Sequence, residues 1–120
     1  MYKLVIIIAG ADAQVDFDTY WPQFLHLAEQ MPGLRREATG RVARVLFGSL
    51  PCTLIHELFF DSLDALQEAM ASPVGQETGQ LLQQMTRGKL TLLVSDHNED
   101  DLENIRKHRL QKDKPQESPK

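Results

Sequence analysis

The sequence predicts an α+β domain of βαββαβ order: a four-stranded antiparallel sheet with both helices packed on one face. Three observations carry this. Short runs of β-branched and apolar residues alternate with stretches whose apolar residues recur at helical spacing. The chain has 120 residues, 42% of them hydrophobic, which is one domain's worth with a modest core. The order strand–helix–strand occurs twice, and right-handed crossovers then favour both helices on one side of the sheet.

The first strand is Leu4 to Ala9, followed by a turn at Gly10-Ala-Asp12, with Asp16 a plausible N-cap. The first helix carries Phe17, Tyr20, Trp21, Phe24, Ala28 and Met31 on one stripe; Thr19, Pro22, Gln23, His26, Glu29 and Gln30 fall opposite. Pro22 is expected to kink its first turns, and Pro32-Gly33 to end it. A long second strand follows, roughly Arg35 to Phe47, with Gly40 as a bulge and arginines suited to an exposed edge. Gly48 to Pro51 is a loop, and the third strand runs from Leu54 to Phe60. Asp61 or Ser62 caps a helix with a Leu63, Leu66, Met70 stripe. Ser72-Pro73 breaks it, and a further helical piece buries Val74, Thr78, Leu81, Leu82 and Met85. Arg87-Gly88 turns into the last strand, Leu90 to Val94.

This order is that of a ferredoxin-like domain spanning residues 1–95. Residues 96–120 form a charged tail with seven acidic and six basic residues, flexible or weakly helical around Leu102 to Leu110. The net charge of −4 argues against a nucleic-acid surface, and the central strands lack the exposed aromatics amid basic residues that an RNA-recognition domain needs. The apolar start, Met1 to Ala9, is too short to span a bilayer and lacks a convincing cleavage site. One cysteine, Cys52, suits a reducing cytoplasm. The expectation is a cytoplasmic protein with neither nucleic acid nor membrane as partner.

The strands pose a physical problem. The first, third and fourth are apolar on both faces, while helices cover only one. A bare second face would be a large apolar patch. The simplest cover is a second copy, sheet against sheet, giving a two-fold homodimer with a barrel-like lumen.

Particular residues carry a family resemblance. Phe17-Asp-x-Tyr20, Leu27-Ala28 and Met31-Pro-Gly-Leu34 occur in order. Glu57-Leu-Phe-Phe-Asp-Ser-Leu-Asp-Ala-Leu66 and Ala71-Ser-Pro-Val-Gly75 follow. Their order and spacing resemble the EthD-like family of dimeric α+β barrel proteins, over residues 2–95. The resemblance implies a homodimer in small-molecule metabolism, working without metal or organic cofactor in a pocket between sheet and helices. Members include proteins of ethyl tert-butyl ether degradation; related proteins include lactone isomerases and enzymes acting on polyketide-like or aromatic compounds. The family commonly has His-x-Pro-Leu-Ala on the first helix. Aligning on Leu27-Ala28 puts Phe24 at the histidine's place and His26 at the proline's, on the opposite side of the helix, so His26 is no substitute.

Glu57 is the main catalytic candidate. A carboxylate in an apolar strand facing the lumen could gain a raised pKa and act as acid or base; the alternative is an ion pair with a strand-two arginine. His56 alternates to the opposite face, buried between sheet and helix with one hydrogen bond. Tyr20 and Trp21 are core or pocket wall, Tyr20 being the better wall because the resemblance includes it. The expected ligand-facing set is Tyr20, Phe24, Glu57 and Phe59. Cys52 reads as a spectator thiol, no metal-ligand spacing occurs, and Gly75 and Gly79 form neither a dinucleotide fingerprint nor a phosphate loop. Two functions follow. One is binding of a small, largely apolar organic molecule, with cofactor-free proton transfer or isomerisation by Glu57 aided by Tyr20. The other is a non-catalytic binding protein, sensor or accessory subunit whose cavity is plugged by Phe24.

Overall fold

The computed structural model describes residues 1–9, 14–49 and 52–112. In chain order its elements are β1 (Tyr2–Ile8), α1 (Gln14–Ala28), β2 (Arg36–Arg41), β3 (Leu54–Phe60), α2 (Leu63–Ala71), α3 (Pro73–Thr86), β4 (Leu90–Asp96) and α4 (Leu102–Lys112). The strands form one four-stranded sheet in the order β2-β3-β1-β4, every neighbouring pair antiparallel. This is the ferredoxin-like α+β arrangement that the element order predicts.

Alternation along the central strands decides the core. Leu4, Ile6 and Ile8 on β1, and Leu54, His56, Leu58 and Phe60 on β3, are buried on the face that α1, α2 and α3 cover. From α1 the core takes Phe17, Phe24 and Ala28, joined by Met31 just beyond it; from α3 it takes Leu81, Leu82 and Met85. The stripe read from the sequence is the buried one, and Thr19, Pro22, Gln23, His26, Glu29 and Gln30 are all exposed.

Several local expectations need correction. The turn at Gly10 to Asp12 lies outside the described residues. Asp16 lies within the helix rather than before it, since α1 already begins at Gln14. The helix continues through Pro22 and ends at Ala28, after which Gln30 and Met31 bond back three residues, to the Leu27 and Ala28 carbonyls. Gly33, with φ of 80°, reverses the chain toward β2. That strand stops at Arg41, and Gly40 pairs in register with Ile55, so no bulge forms. Val42 still donates to the Thr53 carbonyl, but Ala43 to Phe47 leave the sheet, and Leu46 and Phe47 are almost fully exposed.

The break between α2 and α3 is built on Ser72. Its backbone N–H donates to the Glu68 carbonyl, its hydroxyl donates to the Ala69 carbonyl at 2.6 Å, and the same oxygen accepts the Gly75 N–H at 3.1 Å. Pro73 is the first residue of α3, where its missing donor costs nothing. On α2 the buried residues are Leu66 and Ala69, while Leu63 and Met70 stay over a third exposed. Ser62 supplies the cap of α2, accepting from the Ala65 N–H.

Past β4 the chain returns to the sheet. The His97 N–H donates to the Met1 carbonyl, the His97 ring meets Phe59 edge-on at 4.9 Å, and Glu99 pairs with Arg36 at 2.9 Å. Helix α4 follows; its side chains through Lys107 are exposed. Among the described residues no helix is long and apolar enough to cross a membrane.

Candidate functional site

A cavity of about 380 Å³ lies between the sheet and the helices. Leu4, Ile6, Leu58 and Leu92 make its floor; Phe24 and Met31, Met70, and Leu82 wall it from α1, α2 and α3. The volume falls within the roughly 300–1,000 Å³ of typical small-ligand pockets. Its polar groups come from α3 alone: Gln76, Thr78, Gln80 and Gln83. These can donate and accept hydrogen bonds but carry no charge, and Thr78 spends its hydroxyl proton on the Val74 carbonyl at 2.6 Å. The lining therefore suits an apolar molecule with one or two neutral polar substituents.

Two glycines of α3 shape this wall in different ways. A Cβ on Gly75 would fall on the Ala69 carbonyl oxygen, so Gly75 is what lets α3 start so close to α2. A Cβ on Gly79 would meet nothing within 4 Å. A glycine inside a helix costs about 0.5–1 kcal/mol relative to alanine, and here no close packing requires it. Its missing side chain leaves room in the cavity wall.

Beside the cavity floor is a buried polar cluster. His56 is 1% exposed. Its Nδ1 lies 2.8 Å from Thr39 Oγ1 and its Nε2 3.0 Å from Glu37 Oε2. Thr39 stands directly opposite His56 on β2, and Glu37 stands opposite Leu58, which places all three on the helix-covered face. A hydroxyl donating to Nδ1 and Nε2–H donating to the carboxylate is the arrangement that satisfies every partner with a neutral imidazole. Desolvation by burial pushes the His56 pKa below its ordinary 6.5, outweighing the hydrogen bond and charge of Glu37, which act to raise it. The ring is held edge-on by Trp21 at 5.2 Å and by Phe24 at 5.6 Å. Phe17, Trp21 and Phe24 stack successively along α1 at 4.9 and 5.1 Å. Phe24 thus stands between this cluster and the cavity.

The expected site residues divide between the two faces of the sheet. Phe24 lines the cavity, fully buried. Tyr20 packs against the core from its margin. Glu57 and Phe59 lie on the face away from the helices, since they alternate with the buried His56, Leu58 and Phe60. Glu57 accepts from Lys3 Nζ at 2.6 Å, so its ion pair is with β1 rather than with an arginine of β2. Phe59 is 2% exposed, closed over by Arg36 at 4.0 Å and the His97 ring. His26 is exposed, and Cys52 is half-buried beside the Leu54 carbonyl. Sequence reasoning missed Glu37 and Thr39, although their two-residue spacing on β2 signals a shared face, and it missed the cavity role of Gly79. Among the described residues no group of three or more metal-ligating side chains comes together.

No family model matches the sequence, and no curated protein is similar to it at a significant level. Solved structures do match. The chain is similar to an EthD family protein from Bacillus halodurans, with 25% identity and a TM-score of 0.73 over 82% of this chain and 99% of the other. It is similar in fold to a dimeric ferredoxin-like protein of unknown function from a Jannaschia species, at 20% identity and a TM-score of 0.60, covering 80% and 97%. A third likeness of fold is to SnoaB, a cofactor-independent oxygenase from Streptomyces nogalater, at 16% identity and a TM-score of 0.59, covering 84% and 95%. The EthD-like resemblance carried by the sequence is thus matched in three dimensions.

Proposed function

We propose that this EthD-like chain binds a small, largely apolar organic molecule in the cavity between Phe24 and the sheet, in a general small-molecule role. One observation carries the reading: a 380 Å³ apolar cavity whose wall contains Gly79, a helical glycine that no close contact demands. Nothing in the lining can take or give a proton near neutral pH, since its polar groups are amides and one hydroxyl. Binding, rather than catalysis by the lining itself, is what these groups support.

The working unit in this reading is a homodimer in the cytoplasm. The face away from the helices presents Val5, Ile7, Ile55 and Leu93, and the exposed Leu46 and Phe47 add apolar surface beyond β2. The dimeric state of the Jannaschia protein agrees with a second copy covering that face. The single cysteine suits a reducing compartment. A second reading seats the ligand in the lumen between two copies, with Tyr20, Glu57 and Phe59 around it and Glu57 moving protons. The half-buried Lys3–Glu57 pair on that face is the observation in its favour.

Calorimetric titration with 2-naphthol, a bicyclic apolar ring with one hydroxyl, separates the two. The cavity reading expects one saturable site per chain, lost in Gly79→Leu while the far-UV spectrum is kept. Unchanged binding in Gly79→Leu would move the ligand to the other face.

A further inference from the structure

We infer that Glu37, oriented by His56 and Thr39, is a general base for a carbon acid bound in the cavity, with Phe24 as the movable partition between them. The inference rests on the cavity reading above and adds a reaction to it. The residues are neighbours by strand geometry. Ile6 and Leu58, two floor residues of the cavity, stand directly opposite His56 and Glu37 respectively in the sheet. All four side chains project from the same face, and the ring of Phe24 touches both regions, lining the cavity and meeting His56 edge-on.

The division of labour follows from the bonds. His56 has both ring nitrogens engaged, one by the Thr39 hydroxyl and one by Glu37 Oε2, so it has no lone pair to offer a substrate. It is a positioning residue. Its Nε2–H fixes one carboxylate oxygen of Glu37, and the other, Oε1, lies outside that bond. Glu37 is only partly buried, its side chain 23% exposed, so it keeps a route to a substrate that His56, at 1%, lacks. A carboxylate held by a buried neutral imidazole, next to an apolar cavity, can remove a proton from an activated C–H group. In an isomerisation the same carboxyl returns the proton to a second carbon, so no oxidant, reductant or cofactor is required. The substrate class is a small aromatic or alicyclic molecule with a carbon acid beside a carbonyl or ring heteroatom.

The test uses 5-nitrobenzisoxazole and the full-length protein. The base takes the C3 proton, the C–H electron pair forms the nitrile, and the N–O bond breaks to release a coloured phenolate. Saturation kinetics test the cavity reading, and variants test the base. Glu37→Gln is expected to lower kcat by about 100-fold or more with KM retained. His56→Gln is expected to lower kcat with KM unchanged, because it misplaces the carboxylate without touching the binding wall. Saturation with equal kcat in wild type and Glu37→Gln would overturn the assignment while leaving the cavity reading intact. Loss of rate in Glu57→Gln with Glu37→Gln unaffected would overturn it in favour of the opposite face. Absence of saturation would remove the site, and the inference with it.

Discussion

The ring of Phe24 meets the imidazole of His56 edge-on, 5.6 Å between centroids at 74°, while the same phenylalanine walls the cavity. An apolar ring at this point of α1 keeps the polar cluster of β2 and β3 dry. That one packing relationship links core stability, the state of His56 and access to the cavity. Phe24→Ala is therefore expected to destabilise the protein by ~3–5 kcal/mol, the usual cost of truncating a fully buried phenylalanine. The exposed His26→Ala, half a turn away, is expected to stay within ~0.5 kcal/mol of wild type. Urea denaturation followed by Trp21 fluorescence measures both; equal midpoints would contradict the burial argument.

Stability should also depend on pH through His56. Its folded pKa lies below the ordinary 6.5, so below that pH the unfolded chain binds the proton more readily than the folded one. Unfolding free energy is then expected to fall as pH drops from about 6.5 toward the folded value, and to be insensitive to this group above it. Paired urea titrations at pH 7.5 and 5.5 should show a larger loss in wild type than in His56→Gln. The same loss in both would assign the effect to other groups.

The two glycines of α3 should respond oppositely to alanine. Gly79→Ala meets open space, removes backbone freedom from the unfolded chain, and is expected to raise stability by ~0.5–1 kcal/mol. Gly75→Ala drives a methyl into the Ala69 carbonyl and is expected to cost ~1–3 kcal/mol or more. Thermal melts of the two variants give the signs directly.

Ser72 ends one helix and begins the next, with its hydroxyl bonded on both sides. Ser72→Ala is expected to cost about 1 kcal/mol, typical of a lost N-cap. Ser72→Asp should recover part of that through the Gly75 N–H, while still losing the bond donated to Ala69. Equal stability of the alanine variant and wild type would show the cap to be idle.

How far these features were legible depends on what sets them. The α1 stripe was readable because a 3.6-residue period reports which side chains share a face, and Phe17, Phe24, Ala28 and Met31 are indeed buried. The end of β2 was not. Val45, Leu46 and Phe47 have strong strand preferences, yet the partner strand β3 begins only at Leu54, leaving nothing opposite them to bond. Alternation correctly placed His56 and Glu57 on opposite faces. It could not reveal that Lys3 answers Glu57, or that Glu37 and Thr39 answer His56, because those pairings depend on register between distant strands. The cavity was hidden for the same reason. Its sequence trace was Gly75 and Gly79, one helical turn apart, readable only against motifs they do not match.

The most direct measurement is a crystal structure of the protein soaked with 2-naphthol. The cavity account predicts electron density for the ring system between Phe24 and Leu92, with its hydroxyl near an α3 glutamine. Density on the opposite face beside Glu57 and Lys3, with the space at Gly79 empty, would contradict it.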